Sequence, residues 1–105
     1  VIGFGPAGIF AALVLARAGL KPLVIERGRD VEKRTADVNR FFTQKILDET
    51  SNVQFGEGGA GTFSDGKLTT RINDPKCAFV LETFCEHGAP EDIKFKAKPH
   101  IGTDY

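Results

Sequence analysis

Residues 1–28 read VIGFGPAGIFAALVLARAGLKPLVIERG, and this stretch decides the fold that the sequence predicts. Its hydrophobic pattern changes twice, from the β-branched pair Val1–Ile2 to a helix-length apolar run and back to Leu23–Val24–Ile25. Gly19 and Pro22 end the apolar run and restart the chain in an extended conformation. Two short strands joined by a helix predict a parallel βαβ unit with a right-handed crossover.

The turn that begins the predicted helix is Gly3-Phe4-Gly5-Pro6-Ala7-Gly8, a GxGxxG pattern. Gly3 permits a tight turn, Gly5 leaves room for the backbone to touch a diphosphate, and Gly8 lets the helix pack closely against the strand. Pro6 lies near the first helical turn, where a missing N–H costs little. The free N–H groups and the positive end of the helix, Ala7 included, would face the diphosphate.

Glu26 lies 18 residues after Gly8, at the end of the second predicted strand. A carboxylate there accepts hydrogen bonds from the two ribose hydroxyls of an adenosine and repels a 2′-phosphate. The pattern therefore favours FAD or NAD over NADP. The alternative is that the glycines serve helix packing only and that Glu26 pairs with Arg27 or Arg29 at the surface.

The predicted fold class is α/β, an incomplete Rossmann-like FAD/NAD(P)-binding domain with a parallel sheet. The predicted helix, from Ile9 to Ala18, is apolar around its circumference, so we expect it to be buried between the sheet and another layer. All of residues 1–105 would form the N-terminal part of this domain, with the βαβ unit at 1–28. The chain lacks an initiator Met, and we expect it to be a piece of a longer protein.

The rest of the chain predicts two further helices, a loop and a strand. An interrupted apolar stripe predicts a helix from Asp30 to about Glu49, broken near Thr35. Residues 51–72 hold five glycines between Gly56 and Gly66 and predict a shaped loop without regular structure. The segment Asn73-Asp74-Pro75 predicts a helix start, and Gly88 with Pro90 its end. Alternation of apolar residues and lysines over 93–98 predicts a strand.

The composition excludes several classes of function. The 14 basic residues balance the 14 acidic ones, so the chain lacks the basic footprint of a nucleic-acid-binding protein. The apolar start has no charged region before it and contains glycines, a proline and Arg17, which argues against a signal peptide or a membrane span. Cys77 and Cys85 fit neither a redox CxxC pair nor a zinc site, and no metal is expected. We expect a cytoplasmic protein.

Two blocks of the sequence resemble known proteins. GFGPAGIFAALVLARAGLKPLVIERG (3–28) resembles the N-terminal FAD-binding unit of the glutathione-reductase-type flavoproteins. NVQFGEGGAGTFSDGKL (52–68), together with KPHIGTD (98–104), resembles a bacterial group of uncharacterised FAD-dependent dehydrogenases. The resemblance implies a flavin-dependent oxidoreductase of unknown substrate and electron acceptor, inactive when reduced to this fragment. The redox-active cysteine pair of glutathione reductase is not present in this sequence.

The resemblance also implies a set of FAD contacts. Residues Gly3 to Gly8 and Glu26, with the adjacent Arg27, would hold the adenosine half. A second glycine-rich loop would approach the flavin, and its candidates are Gly58, Gly59, Ala60, Gly61 and Thr62; the alternative is a cluster of surface turns. Arg34 would reach the phosphates, with Lys33 and Arg40 as competitors, and the alternative is a solvated charge. The other interpretations of the whole are an NAD-binding dehydrogenase domain and a nucleotide-binding module without redox chemistry.

Overall fold

The computed structural model describes residues 1–102 of the chain. By the contacts within them, these residues divide into two compact units. Unit 1 comprises Val1–Thr62, and unit 2 begins at Phe63. The predicted glycine turn, Glu26 and the second glycine loop all belong to unit 1, so the candidate site can be described within that unit alone.

Helix α1 spans Pro6–Arg17 and confirms the helix expected after the glycine turn. Gly5 is its N-cap residue and Pro6 its first helical residue, where the ring's fixed φ suits the helix. At the other end, Gly19 adopts a φ of +79° and its N–H donates to the carbonyl of Ala16 at 2.9 Å. The local stop and start signals in the sequence therefore set both ends of this helix.

Helix α2 spans Val31–Gln44 without interruption. Asp30 caps its start, because the carboxylate accepts the N–H of Lys33 at 3.0 Å. The predicted break near Thr35 is wrong, since the Thr35 hydroxyl donates to the carbonyl of Val31 and the helix continues past it. The helix ends where Lys45 takes the left-handed conformation with a φ of +61°, earlier than the predicted Glu49.

The predicted α/β fold with a parallel sheet is wrong. Residues 1–102 contain no strand, and the two extended segments that flank α1 meet only through one parallel bridge between Ile2 and Ile25. Three backbone hydrogen bonds join these segments, one of them from the N–H of Gly3 to the carbonyl of Ile25 at 2.7 Å. The first segment has only two residues before Gly3, too few for the repeating ladder of a sheet.

The expected burial of α1 between two layers is also wrong. Of its residues only Ala12 is buried, and the side chain of Val14 is 52% exposed. With no sheet among the described residues, one apolar face of the helix has no layer to pack against.

The interior of unit 1 is mainly polar. Its buried apolar residues are Ala12 and Val38, whereas its fully buried side chains of relative exposure below 2% are those of Arg34 and Ser51. A buried guanidinium is costly unless its N–H groups find acceptors. The fold of this unit therefore depends on how the hydrogen bonds of Arg34 are met.

Unit 2 contains helix α3, Lys76–Glu86, which confirms the helix predicted after Pro75. The strand predicted over 93–98 is wrong, because Glu91–Lys94 form a short 3₁₀ helix that packs against α3. Ion pairs at helical spacing, Lys94 with Glu91 and Lys96 with Asp92, favour this turn over an extended chain. Ile93 is fully buried, while Phe95 is 84% exposed. The two side chains therefore do not share one buried face, as they would in the predicted strand.

A separate finding concerns the bilayer. None of the helices within residues 1–102 combines the length and the apolar character that a membrane crossing requires.

The close packing of α1 against the turn before it predicts that one methyl group added at Gly8 lowers the stability of the fold. A Cβ on Gly8 would lie 2.0 Å from the carbonyl oxygen of Gly3, so the Gly8→Ala variant must displace backbone. We expect it to lower the free energy of unfolding by about 1 to 3 kcal/mol, as overpacking does. Urea denaturation measures this change. Gly61→Ala is the matched control, since a Cβ there meets nothing within 4 Å; equal stability of the two variants would contradict the packing described.

Candidate functional site

The glycine turn takes the shape that the sequence predicts. Gly3 has a φ of +88°, a conformation that residues with a Cβ rarely adopt. Gly5 caps α1 without any side-chain hydrogen bond, and the first backbone bond into the helix runs from the N–H of Ile9 to the carbonyl of Gly5. The N–H groups of Ala7 and Gly8 precede that bond and so lie outside the internal ladder of the helix. The turn thus presents unused donors at the positive end of α1.

Glu26 is held beside this turn by backbone N–H groups. One carboxylate oxygen, Oε2, accepts the N–H of Phe4 at 2.7 Å, and Oε1 accepts the N–H of Gly28 at 2.8 Å. The hydrogen bond from Gly28, then that from Phe4, holds the pKa of Glu26 below its ordinary value of 4.5. The carboxylate is therefore ionised at neutral pH and is tied to the turn rather than paired with Arg27 or Arg29.

The two predicted glycine segments meet in the structure. The N–H of Gly58 donates to the carbonyl of Phe4 at 2.8 Å. A Cβ placed on Gly59 would lie 3.1 Å from the Cα of Gly5 and 3.1 Å from the Cδ of Pro6. Because neither Gly5 nor Gly59 has a side chain, the backbones of the two segments approach closely. Sequence positions more than fifty residues apart in the chain thereby form one continuous backbone surface.

Arg34 holds the second glycine loop in place. Its Nε donates to the carbonyl of Asn52 at 2.9 Å, and Nη2 donates to the carbonyls of Val53 at 3.0 Å and Gly59 at 2.7 Å. Nη1 donates to the carbonyl of Glu57 and to the hydroxyl of Thr62. These bonds match the five N–H groups that a guanidinium carries. One side chain thus fixes the loop over residues 52–62.

The charge of Arg34 is compensated by dipoles and by one nearby acid. Its side chain is fully buried, and this burial lowers the pKa of the guanidinium below its ordinary value, while the charge of Glu26 acts in the opposite direction. Carbonyl oxygens provide most of the stabilisation that water would otherwise supply. The carbonyls that face Arg34 turn their peptide N–H groups away from it, because the peptide unit is planar and trans.

The other predicted cationic contacts lie on the surface of unit 1. Arg27 is exposed and its guanidinium lies over the ring of Phe55, 5.3 Å from the centroid. Lys33 pairs with Asp30 at 2.7 Å, and Arg40 with Asp37 at 3.2 Å. Direct contacts to a phosphate from Arg34, Arg27, Lys33 or Arg40 stay predictions. The structure adds that Arg34 shapes the loop.

Sequence reasoning missed three residues that position the site. A Cβ on Gly28 would lie 2.4 Å from the Cα of Gly56, so the chain after Glu26 crosses the loop with no room for a side chain. A Cβ on Gly56 would lie 2.6 Å from the Cδ of Arg34. The carboxylate of Glu57 accepts the N–H of Val31 at 2.7 Å and so ties the loop to the start of α2. The one signal available was the glycine content of residues 51–72.

The chain was compared with known proteins. No family model matches it. An uncharacterized protein of Clostridium beijerinckii is 64% identical over 104 residues, which is 99% of this chain. The chain spans only 20% of the length of that relative.

The family suggested by the two sequence blocks is corrected by these findings. A glutathione-reductase-type flavoprotein carries its glycine turn on a parallel sheet, and residues 1–102 contain no sheet. The absence of a matching family model and the uncharacterized relative add no support. The assignment to Rossmann-fold flavoprotein dehydrogenases is therefore wrong, and functional conclusions must come from the contacts themselves.

The role of Arg34 predicts a strong effect of a charge-conserving change. Lysine in the Arg34→Lys variant keeps the cation but offers three donors in place of five, so loop carbonyls lose their partners. We expect a loss of about 2 to 4 kcal/mol in the free energy of unfolding and faster amide hydrogen exchange over residues 56–62. Arg27→Lys, at an exposed cation–π contact, is the control and should change stability by under about 1 kcal/mol. Normal exchange in the Arg34 variant would contradict the assigned role.

The lowered pKa of Glu26 predicts how stability depends on pH. A carboxyl whose pKa is depressed in the folded state adds stability that is fully present above its ordinary pKa of 4.5 and is lost as pH falls through the folded value. The stability difference between wild type and Glu26→Gln should therefore be largest at neutral pH and shrink in acid. Thermal unfolding at a series of pH values measures it, with Glu49→Gln as the exposed control. A difference that stays constant down to strongly acidic pH would refute this interpretation.

Proposed function

We propose that unit 1 binds the adenosine diphosphate half of FAD, and that the chain is the FAD-binding segment of a flavin-dependent oxidoreductase. One observation carries the proposal. The hydrogen bond from the Phe4 N–H to the Glu26 carboxylate, at 2.7 Å, joins an ionised carboxylate to the glycine turn before α1, and we propose that the first binds a ribose and the second a diphosphate. The proposal rests on these contacts and requires no sheet.

The turn at the start of α1 suits a diphosphate. The N-terminus of α1 has no side-chain cap and no acidic residue in its first turn, so no residue of the helix itself neutralises its positive end. A Cβ built on Gly5 would meet only the Cα of Gly59, at 3.8 Å, which is an ordinary contact. A single methyl group would therefore fit at Gly5 in contact with the second glycine loop. Phosphate oxygens there would accept the unused N–H groups of Ala7 and Gly8.

Glu26 retains the capacity to bind a ribose. The two carboxylate oxygens accept the N–H groups of Phe4 and Gly28, and the backbone of Arg27 also hydrogen-bonds to the carboxylate. Of the roughly four lone-pair sites of a carboxylate, this leaves one for a hydroxyl donor. Its ionised state makes these hydrogen bonds stronger than neutral ones. The same charge disfavours a 2′-phosphate, which supports FAD or NAD over NADP.

The second glycine loop supplies a further donor beside the turn. Arg34 draws the carbonyl of Gly59 inward, which turns the N–H of Ala60 away from the guanidinium. Gly59 itself lies against Gly5, so this donor belongs to the same backbone surface. An oxygen of the diphosphate or of the flavin ring is the acceptor that we propose for it. This extra surface favours the larger FAD over NAD.

The chain's own contribution to a reaction is to hold and orient the cofactor. Bound FAD supplies two-electron oxidation and reduction chemistry, while the protein supplies position and electrostatics. The substrate, the electron acceptor and any catalytic acid or base are not identified, and we assign none. The free thiols Cys77 and Cys85 are consistent with the proposed cytoplasmic location, where disulfides are rare.

The binding proposal is tested by a branched side chain at Gly5. The backbone of Gly5, with φ −79° and ψ −174°, suits any residue, and a Cβ there meets Gly59 only at an ordinary 3.8 Å, so we expect Gly5→Val to fold, which circular dichroism checks. Its branched side chain would occupy the position of the diphosphate, and we expect no detectable FAD binding. Ala16→Val, which places the same branched side chain at an exposed position of α1, is the control.

Titration with FAD and, separately, with NAD provides the measurement. Quenching of flavin fluorescence by wild type and by Ala16→Val, together with weaker NAD binding, supports the proposal. Preference for NAD would favour the alternative dehydrogenase cofactor. A bound flavin that dithionite and air fail to reduce and reoxidise would favour a nucleotide-binding module without redox chemistry. FAD binding to folded Gly5→Val would overturn the placement of the diphosphate.

A further inference from the structure

Unit 2 contains a cavity of about 710 Å³ with a basic lining. Three cations and a histidine contribute to its wall, Lys67, Arg71, Lys98 and His100, together with the hydroxyl-bearing Thr69 and Thr70. We call this feature the basic cavity. Its volume lies within the range of about 300 to 1,000 Å³ that is usual for small-molecule sites. No contact assigned to FAD above involves it.

The register of two paired segments brings these side chains together. Lys67 and His100 form an antiparallel bridge, flanked by hydrogen bonds from the N–H of Leu68 to the carbonyl of Pro99 at 2.9 Å and from Ile101 to Gly66 at 3.1 Å. Directly opposed residues in such a pair share a face, and so do residues two positions along each segment. Thr69 and Lys98 therefore lie on the face of Lys67 and His100, in agreement with the cavity lining.

The positive charge in the basic cavity is only partly compensated. Asp65, its one lining carboxylate, lies 3.7 Å from the ammonium of Lys67. Within residues 1–102, Arg71 and Lys98 form no ion pair, whereas the nearby Lys94 and Lys96 pair with Glu91 and Asp92. Three cations against one carboxylate leave two positive charges, in a chain whose net charge is zero.

We propose that the basic cavity binds a small-molecule dianion, such as a phosphate ester or a polycarboxylate. Arg71 would hold one oxyanion through its planar pair of N–H donors, and Lys98 would neutralise the second charge. Thr70 accepts the N–H of Ile72 at 3.3 Å, which leaves its hydroxyl hydrogen to donate to the same ligand. An extended nucleic acid fits less well, because the neighbouring lysines already have acidic partners.

Isothermal titration calorimetry of the protein with citrate and with glycerol 3-phosphate tests this proposal and separates the two sources of negative charge. We expect saturable binding of at least one probe. The double variant Arg71→Gln, Lys98→Gln should lower its affinity by about tenfold or more, since each lost contact is charge-assisted. Lys94→Gln with Lys96→Gln is the control, because it removes the same charge from paired lysines outside the cavity.

The outcomes separate this site from the one proposed in unit 1. Gly5→Val should bind the probe as wild type does, whatever its effect on FAD. Shifts of the backbone amide resonances of residues 67–70 and 98–100 locate the ligand, and circular dichroism checks that both double variants are folded. The proposal is overturned if neither probe binds, if the control loses as much affinity, or if a single-stranded oligonucleotide binds at this cavity more tightly than both probes.

Discussion

The buried guanidinium of Arg34 is the interaction on which unit 1 depends. Its five N–H groups are matched by four backbone carbonyls and one hydroxyl between Asn52 and Thr62. A loop with this glycine content has high conformational entropy, and hydrogen bonds to a single rigid fork restrict it to one shape. The apolar core of the unit is small, so the hydrogen bonds of Arg34 stabilise the loop where packed apolar side chains do so in other proteins.

The loop that Arg34 holds in place lies against the glycine turn. Gly58 and Gly59 lie against Phe4 and Gly5, and Glu26 is fixed to the same turn by the N–H of Phe4. Three sequence segments thus converge in unit 1. Donors, a helix terminus and an ionised carboxylate then lie on one surface, and the proposed binding of a dinucleotide rests on this arrangement. The basic cavity in unit 2 is a separate feature with its own charge.

The sequence predicted those parts that depend on local rules. Helix α1 begins at Pro6 and α3 directly after Pro75, and each ends two residues before a glycine. The turn geometry of Gly3 and Gly8 followed from the need for a left-handed residue and a close contact. Local rules could not predict that residues 1–102 form no sheet, because a strand exists only if a partner pairs along its length. The alternation of apolar residues and lysines over 93–98 predicted a strand, but ion pairs at helical spacing favour the observed 3₁₀ helix. Nothing local marks Arg34 as buried, since its acceptors lie 18 to 28 residues away.

Nitrogen-15 NMR of the arginine side chains tests the central claim most directly, since it reports the hydrogen bonds of one guanidinium. For Arg34 the structure predicts slow exchange of the Nε–H with water and separate signals for the Nη hydrogens, because every N–H is held by an acceptor. Exposed Arg71 provides the contrast within the same spectrum. Rapid exchange and averaged Nη signals for Arg34, equal to those of Arg71, would contradict the claim that this side chain holds the loop.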